Sequence, residues 1–259
     1  MSLRAILFDL DDTLVPERPA LQAGFAAVAQ RVWGAATPER ITDLMEAART
    51  VWRAGAPAEY RVRVHLSLSE GLHGDLTAAG AEADAMRAFL PTLHAEAFEA
   101  VLPPEARGSS PELVALWRTA RMAALRRYPE TLEALQRWSA RLPVALVTNG
   151  ASRLQRDKLA VTSIDSYFTL VVASEEVGIG KPAPAIFEAA LAGLGGLSPD
   201  DVVMVGNDRD RDLAGARNAR IRPILIDRQR TAPADDVIAT LTDLEELLGG
   251  SPPLADRAG

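Results

Sequence analysis

The sequence contains no cysteine, and this absence excludes disulfide bonds, thiolate-bound zinc and a cysteine nucleophile. It also lacks any apolar run of the roughly 18 residues that a membrane-spanning helix requires. A signal-peptide pattern is missing too, because the apolar residues Ala5–Phe8 run directly into Asp9. We therefore expect a cytoplasmic protein with no membrane partner.

Positive charge is also in short supply. The net charge of −7 argues against nucleic acid as a partner. Only two of the 28 basic residues are lysine, namely Lys158 and Lys181, so each is a candidate for a specific role. The remaining composition, with 48% hydrophobic and 24% charged residues, is typical of a soluble globular protein. A chain of 259 residues is long enough for one large domain or two smaller ones.

The most informative feature that is present is an acidic stretch near the N-terminus. Ala5–Phe8 form a short continuous apolar run, which is typical of a strand buried on both faces. Asp9 and Asp11 follow where this run stops, and Thr13 comes two residues later. Ligands bind beyond the carboxyl ends of parallel strands, where two carboxylates can hold Mg²⁺ or act as nucleophile and proton donor. The alternative is a strand that ends in a polar, helix-capping turn.

Strand and helix patterns divide the chain into two kinds of segment. Residues 16–126 show helical periodicity with almost no strand signal, although Pro91 should kink or break one helix. From residue 127 to 249 helices and strands alternate, which predicts βαβ units and a parallel sheet. We therefore predict an α/β domain from residues 1–15 and 127–249, a helical insertion at 16–126 and a disordered tail at 250–259. The predicted strands are Ala5–Phe8, Val144–Val147, Leu170–Val172, Val202–Val205 and Ile224–Ile226.

Two loops of the α/β segment carry candidate phosphate ligands. Thr148 and Asn149 end a predicted strand just before a helix, an arrangement that can bind an anion, although Asn-Gly also forms ordinary β-turns. Lys181 precedes a proline that opens the next helix. It is either a residue of the site or a solvated surface lysine.

A third loop carries candidate metal ligands. Asn207, Asp208 and Asp212 follow a strand rich in β-branched residues. Their oxygen atoms could coordinate a hard cation. The alternative is a charged loop that caps the helix which begins nearby.

Taken in order, these segments resemble the motifs of the haloacid dehalogenase superfamily of phosphotransferases. The matching stretches are FDLDDTL at 8–14, VTNG at 147–150, GKPAPAIF at 180–187 and VGNDRDRDLAGA at 205–216. The long gap between Leu14 and Tyr128 fits the helical cap that this family inserts after its first motif. The resemblance implies a doubly wound, Rossmann-like parallel sheet with an inserted α-helical cap domain. It also implies a phosphatase that acts on a small phosphorylated metabolite with Mg²⁺ as cofactor.

The resemblance further implies a role for each candidate in catalysis. By it, Asp9 is the nucleophile that takes the phosphoryl group. Asp11 protonates the leaving oxygen and then activates water against the aspartyl-phosphate. Thr148, Asn149 and Lys181 bind the phosphate, and Lys181 also offsets the crowded negative charge.

The implied metal site departs from the family pattern at one position. By the resemblance, Mg²⁺ would lie on Asp9, on the backbone carbonyl of Asp11 and on the acid that follows the glycine of the last motif. This chain has Asn207 where the family usually has aspartate. An amide oxygen can bind Mg²⁺ but brings no charge, so we expect weaker binding unless Asp208 or Asp212 compensates.

Three other functions stay open at this stage. A phosphomutase shares the same motifs, and a haloacid dehalogenase uses the first aspartate to displace halide from carbon without an acid at position 11. A non-catalytic protein that binds a phosphorylated ligand is suggested by Asn207 alone. The sequence leaves the substrate and the oligomeric state open.

Overall fold

A six-stranded parallel sheet forms the centre of the computed structural model, which describes residues 3–230 and 235–248. The strands follow the order β3-β2-β1-β4-β5-β6, and the first strand therefore lies in the middle of the sheet. Their bounds are β1 Ala5–Phe8, β2 Val144–Thr148, β3 Leu170–Ala173, β4 Val202–Gly206, β5 Arg222–Ile226 and β6 Val237–Ile238.

Burial on both faces explains why the central strands are uninterrupted apolar runs. Every residue of β1, β2 and β4 is buried, so neither face of these strands reaches solvent. On one face, Ala5 and Leu7 pack in a core with Ile186 and Phe187. In the parallel pair of β1 and β4, Phe8 lies beside Val205. The residues that follow these two therefore leave the sheet at the same edge.

The helices alternate with the later strands along the chain and fill the long gap after β1. Their bounds are α1 Glu17–Trp33, α2 Pro38–Gly55, α3 Ala58–Arg63, α4 Leu68–His73, α5 Ala81–Glu96, α6 Ser110–Ala124, α7 Thr131–Ser139, α8 Ser152–Val161, α9 Ser174–Val177, α10 Pro184–Gly193, α11 Ala214–Asn218 and α12 Asp243–Leu248. One turn of π-helix at Arg209–Leu213 precedes α11. None of the helices in the described ranges is both long and apolar enough to cross a bilayer.

The five predicted strands and the parallel sheet are confirmed, each strand to within two residues. Short elements such as Val237–Ile238 and Ser174–Val177 were missed, because segments of two to four residues carry no readable periodicity. Pro91, which was expected to kink or break its helix, does not break it, since α5 continues through the proline, which is exposed. The predicted disordered tail at 250–259 lies outside the described residues.

The internal contacts group the chain into two compact units. The sheet unit contains the described residues up to Pro16, together with Arg127–Asn149 and those from Thr162 onward, and the helical unit contains Glu17–Arg126 and Gly150–Val161. This grouping departs from the predicted boundaries at residues 150–161, which the sequence pattern assigned to the α/β segment. The predicted domain boundaries themselves stay a prediction.

The helical unit has its own apolar core and a buried ionic cluster. Gly24 lets α1 approach α6, because a Cβ there would lie 2.8 Å from the ring of Trp117. Within this unit, Glu17 accepts a 2.5 Å hydrogen bond from Arg121 and lies 3.3 Å from the Lys158 ammonium. Burial would raise the pKa of Glu17, but the two cations hold it at about 2.

Candidate active site

The first strand delivers Asp9 to the carboxyl edge of the sheet. The Asp9 amide donates to Val205 O at 3.0 Å, which extends the pairing of β1 with β4 by one residue. The chain then turns tightly, with the amides of Leu14 and Val15 donating to Leu10 O at 2.9 and 3.1 Å. This turn fixes the backbone on the far side of Asp9, whose side chain is almost fully buried.

A buried lysine lies against the Asp9 carboxylate. Lys181 Nζ lies 2.6 Å from Asp9 Oδ1 and 2.7 Å from Asp212 Oδ1, and it donates to Val147 O at 2.8 Å. Burial alone would lower the pKa of Lys181, but the carboxylates of Asp212 and Asp9 raise it above its ordinary value. The ammonium is therefore charged at neutral pH, and one fixed cation serves two carboxylates.

The backbone of Lys181 is held by the end of β2. Lys181 N donates to Asn149 Oδ1 at 2.8 Å, and Asn149 Nδ2 donates to Lys181 O at 3.1 Å. This reciprocal pair fixes the lysine loop against the strand end. The Asn149 side chain is engaged with the lysine backbone, and its predicted role as a phosphate ligand stays a prediction.

Asp212 reaches Lys181 because Gly206, which has no side chain, leaves space for the Asp212 carboxylate. Its Oδ2 accepts from Asp208 N at 3.0 Å, and its side chain packs on Gly206, where any Cβ would collide with the carboxylate. Burial raises the pKa of Asp212 to about 6, although Lys181 opposes that shift. The carboxylate predicted to help hold a metal is thus bound to an ammonium and a backbone amide.

The Thr13 hydroxyl connects the nucleophile candidate to the last loop. Thr13 Oγ1 lies 3.0 Å from Asp9 Oδ2 and 3.1 Å from Asn207 Oδ1. A hydroxyl has one proton, so it can donate to only one of these oxygens at a time. The hydroxyl therefore links the Asp9 carboxylate to the amide oxygen of Asn207.

The remaining predicted residues lie near this edge in different settings. Asp11 is partly exposed and pairs with Val15 through an isolated bridge. Thr148 ends β2 and is buried, with its hydroxyl 3.3 Å from Asn149 O. Asp208 Oδ1 accepts from the amides of Asp210 and Arg211 at 2.9 Å each, which is the helix-capping alternative raised from the sequence.

A different trio of possible metal ligands lies in the helical unit. His73, Asp75 and Asp157 are the one such group among the residues described, with ligand atoms within 4.8 Å of one another. Burial, followed by the charges of Arg118 and Arg121, lowers the pKa of His73 to about 4. These guanidinium groups also repel a cation, which disfavours metal binding by the trio. None of the predicted metal ligands belongs to it.

The sheet-edge cluster joins a carboxylate, a charged ammonium and a bridging hydroxyl in one buried place. Such a carboxylate can attack an electrophilic centre, and the ammonium can offset negative charge that builds up there. Sequence reasoning found the acids and the lysine but missed the link through Thr13. The only signal was its position two residues after Asp11.

The chain is similar in sequence to a family of hydrolases and to known phosphatases. Residues 3–220 match the family described as haloacid dehalogenase-like hydrolases. A phosphoserine phosphatase of Thermus thermophilus is 32% identical over 230 residues, covering 87% of this chain and 89% of that protein. A ribulose-1,5-bisphosphate 5-phosphatase of Halopiger xanaduensis is 29% identical over 238 residues, covering 90% and 88% of the two proteins.

Solved structures show the same fold. A 2-haloacid dehalogenase from Pseudomonas syringae pv. Tomato superimposes with a TM-score of 0.65, and the match covers 95% of this chain and 98% of that one. The two sequences are 23% identical, so the likeness concerns the fold alone.

Proposed function

The chain belongs to the haloacid dehalogenase-like hydrolase family, and from that premise we propose that it hydrolyses phosphomonoesters of small metabolites through Asp9. The observation that carries the proposal is the 2.6 Å contact between Lys181 Nζ and Asp9 Oδ1 at the end of β1. A carboxylate beside a buried ammonium can approach an anionic phosphoryl group, because the cation offsets the repulsion between them. The relatives from Thermus thermophilus and Halopiger xanaduensis are phosphatases of small phosphorylated compounds, which supports the same substrate class here.

The proposed reaction has two displacements at phosphorus. In the first, a carboxylate oxygen of Asp9 forms a bond to phosphorus while the ester oxygen leaves, and Asp11 gives that oxygen its proton. In the second, Asp11 takes a proton from water, whose oxygen attacks the aspartyl-phosphate and releases inorganic phosphate with the Asp9 carboxylate regenerated. Lys181 and Thr148 would bind the phosphoryl oxygens throughout.

The residues at the sheet edge fit a bound Mg²⁺. Oxygen atoms of Asp9 and Asn207 both lie within hydrogen-bond distance of the Thr13 hydroxyl, so two hard donors meet in one place. Asp9, the backbone carbonyl of Asp11 and the Asn207 amide oxygen would hold the cation, which supplies positive charge for the phosphoryl oxygens. We propose that Asp212 stays outside this set, because it pairs with Lys181 and with the Asp208 amide, whereas Asp9 and Asn207 meet at the Thr13 hydroxyl.

The Asn207→Asp variant tests the neutral ligand. We expect the Mg²⁺ concentration for half-maximal activity to fall by roughly 10-fold, because a carboxylate adds a charge to the ligand set. The measurement is initial rate against Mg²⁺ concentration for wild type and variant. Asn218→Asp, which adds the same charge at an exposed helix end, is the control and should change nothing. An unchanged Mg²⁺ dependence in Asn207→Asp would remove Asn207 from the ligand set.

The proposed function is tested by turnover of purified protein. We expect release of inorganic phosphate from a small aryl phosphate, abolished by EDTA and restored by Mg²⁺. A panel of phosphorylated amino acids, sugar phosphates and nucleotides then ranks natural substrates by kcat/KM. Halide release from 2-haloacids would show a dehalogenase instead. Conversion of a phosphate ester to its isomer without release of phosphate would show a phosphomutase. Binding without any turnover would leave a non-catalytic receptor.

A further inference from the structure

An arginine after β5 donates a hydrogen bond to the backbone of the turn that follows Asp9. Arg228 Nη2 donates to Thr13 O at 2.8 Å, and its Nη1 lies 2.5 Å from Glu130 Oε1. The guanidinium lies 3.4 Å from the centre of the Tyr128 ring. Stacking and a carboxylate partner together fix the direction in which this planar group donates.

The neighbouring carbonyl of the same turn is held by the segment that carries Glu130. Tyr128 N and Thr131 Oγ1 each donate to Leu14 O at 3.0 Å. Thr13 O and Leu14 O therefore accept three hydrogen bonds from residues that lie more than a hundred positions away in sequence. We call Arg228, Glu130, Tyr128 and Thr131 the turn clamp.

The turn clamp acts on the residue that touches the reacting carboxylate. The same Thr13 whose carbonyl is held by Arg228 places its hydroxyl 3.0 Å from Asp9 Oδ2 and 3.1 Å from Asn207 Oδ1. A shift of the Thr13 backbone would change both distances at once. Displacements of about 1 Å at a reacting group can cost on the order of 10²-fold in rate.

We propose that Arg228 is a positioning residue, which holds Thr13 so that the Asp9 carboxylate keeps its attacking orientation. This proposal rests on the proposed function, since it assigns Arg228 a part in the same reaction. Arg228 acts on Asp9 only through the Thr13 backbone. Nothing in the acidic motif itself points to it, because it lies 215 positions further along the chain.

The Arg228→Ala variant tests the proposal through the split between kcat and KM. We expect kcat to fall by roughly 10- to 100-fold, because the attacking oxygen is no longer held in line. KM for an aryl phosphate should change little, since the phosphate ligands Lys181 and Thr148 are untouched. A large rise in KM that accompanies the fall in kcat would indicate a damaged binding site and overturn the assignment.

An open surface pocket beside Arg228 allows a chemical rescue. It has a volume of about 530 Å³ and is lined by Arg228, Tyr128 and Asn207 among others. Guanidinium ion at a sub-denaturing concentration should therefore enter the space left by Arg228→Ala and restore part of the kcat. Ammonium at the same ionic strength cannot donate in the planar fork and should not restore it. Equal effects of the two cations would show that charge alone, and not positioning, is missing.

Arg141 provides a matched control within the same unit. It also stacks on an aromatic ring, 5.5 Å from the centre of Trp138, and pairs with Glu245 at 2.6 Å, away from the residues of the site. Arg141→Ala should therefore keep its kcat, and thermal unfolding of both variants measures how much stability each has lost. A comparable fall in kcat for Arg141→Ala would attribute the effect of Arg228→Ala to general destabilisation.

Hydrogen–deuterium exchange separates this proposal from the proposed function. The amides of residues 10–15 should exchange faster in Arg228→Ala than in wild type or Arg141→Ala, whichever reaction the protein catalyses. Faster exchange in a protein that hydrolyses no phosphate ester would sink the proposed function and retain the clamp. Unchanged exchange in an active phosphatase would overturn the clamp and leave the function standing.

Discussion

Replacement of Asp9 by asparagine is expected to lower kcat by at least ~10³-fold, the scale on which enzymes lose a covalent nucleophile. Asn keeps the shape of the side chain but removes the charge that, in the proposed reaction, attacks phosphorus. The variant should fold, because an amide oxygen can still accept from Lys181 Nζ, which lies 2.6 Å from Asp9 Oδ1. Phosphate release measures the loss of kcat, and circular dichroism measures whether the variant is folded.

Asp12→Asn is the matched control for this substitution. Asp12 is an exposed neighbour on the same turn with a φ of 61°, a conformation that asparagine adopts readily. Its replacement should leave kcat nearly unchanged. Wild-type turnover by well-folded Asp9→Asn protein would exclude an aspartyl-phosphate on Asp9.

Replacement of Lys181 by methionine is expected to damage stability as well as rate. It leaves the buried carboxylates of Asp9 and Asp212 without their shared cation, which typically costs about 3–5 kcal/mol of unfolding free energy. The rate should fall by roughly 10²–10³-fold, because the charge that meets the phosphoryl oxygens is lost. Urea unfolding and phosphate release are the two measurements.

The stability loss in Lys181→Met should depend on pH. Burial already raises the pKa of Asp212 to about 6 with the lysine present, and removal of the ammonium raises it further. A carboxyl whose pKa is higher in the folded than in the unfolded state lowers the stability of the fold as pH rises from the unfolded pKa to the folded pKa, and the full loss is present above the folded pKa. The deficit relative to wild type should therefore be larger at pH 8 than at pH 5.

A second substitution separates stability from catalysis. Adding Asp212→Asn to Lys181→Met removes one of the two orphaned charges, so it should recover about half of the lost free energy. It should recover no activity, because Asp9 still lacks its cation. A double variant as unstable as Lys181→Met would contradict the idea that the two uncompensated carboxylates cause the loss of stability.

The sheet was readable from the sequence because its central strands are buried on both faces. An uninterrupted apolar run such as Ala5–Phe8 strongly favours a buried strand when acids follow it at once. Val237–Ile238 gave no signal, since two residues at a sheet edge need no pattern of their own. The π-helical turn at Arg209–Leu213 was also beyond reach, because its backbone geometry leaves no compositional trace.

The residues of the site could be named from the sequence, but their pairings could not. Spacing placed Asp208 and Asp212 in one loop, yet it does not say which carboxylate faces a lysine and which caps a helix. The structure assigns the first setting to Asp212 and the second to Asp208. Arg228 had no sequence signal, because its partner is a backbone carbonyl, and any residue type at position 13 would offer the same atom.

The grouping of Gly150–Val161 with the helices limits how this chain can recombine with its relatives. Leu154 and Ala151 belong to the same apolar core as Phe25 and Trp117, although they follow β2 and not β1. A chimera that exchanges only residues 17–126 would pack core residues of a relative against the native residues of α8 and its preceding turn. Modular exchange of the helical unit therefore requires two separate gene segments to be replaced, which takes four crossovers, and substitutions at 151 and 154 must be inherited together with those in the insertion.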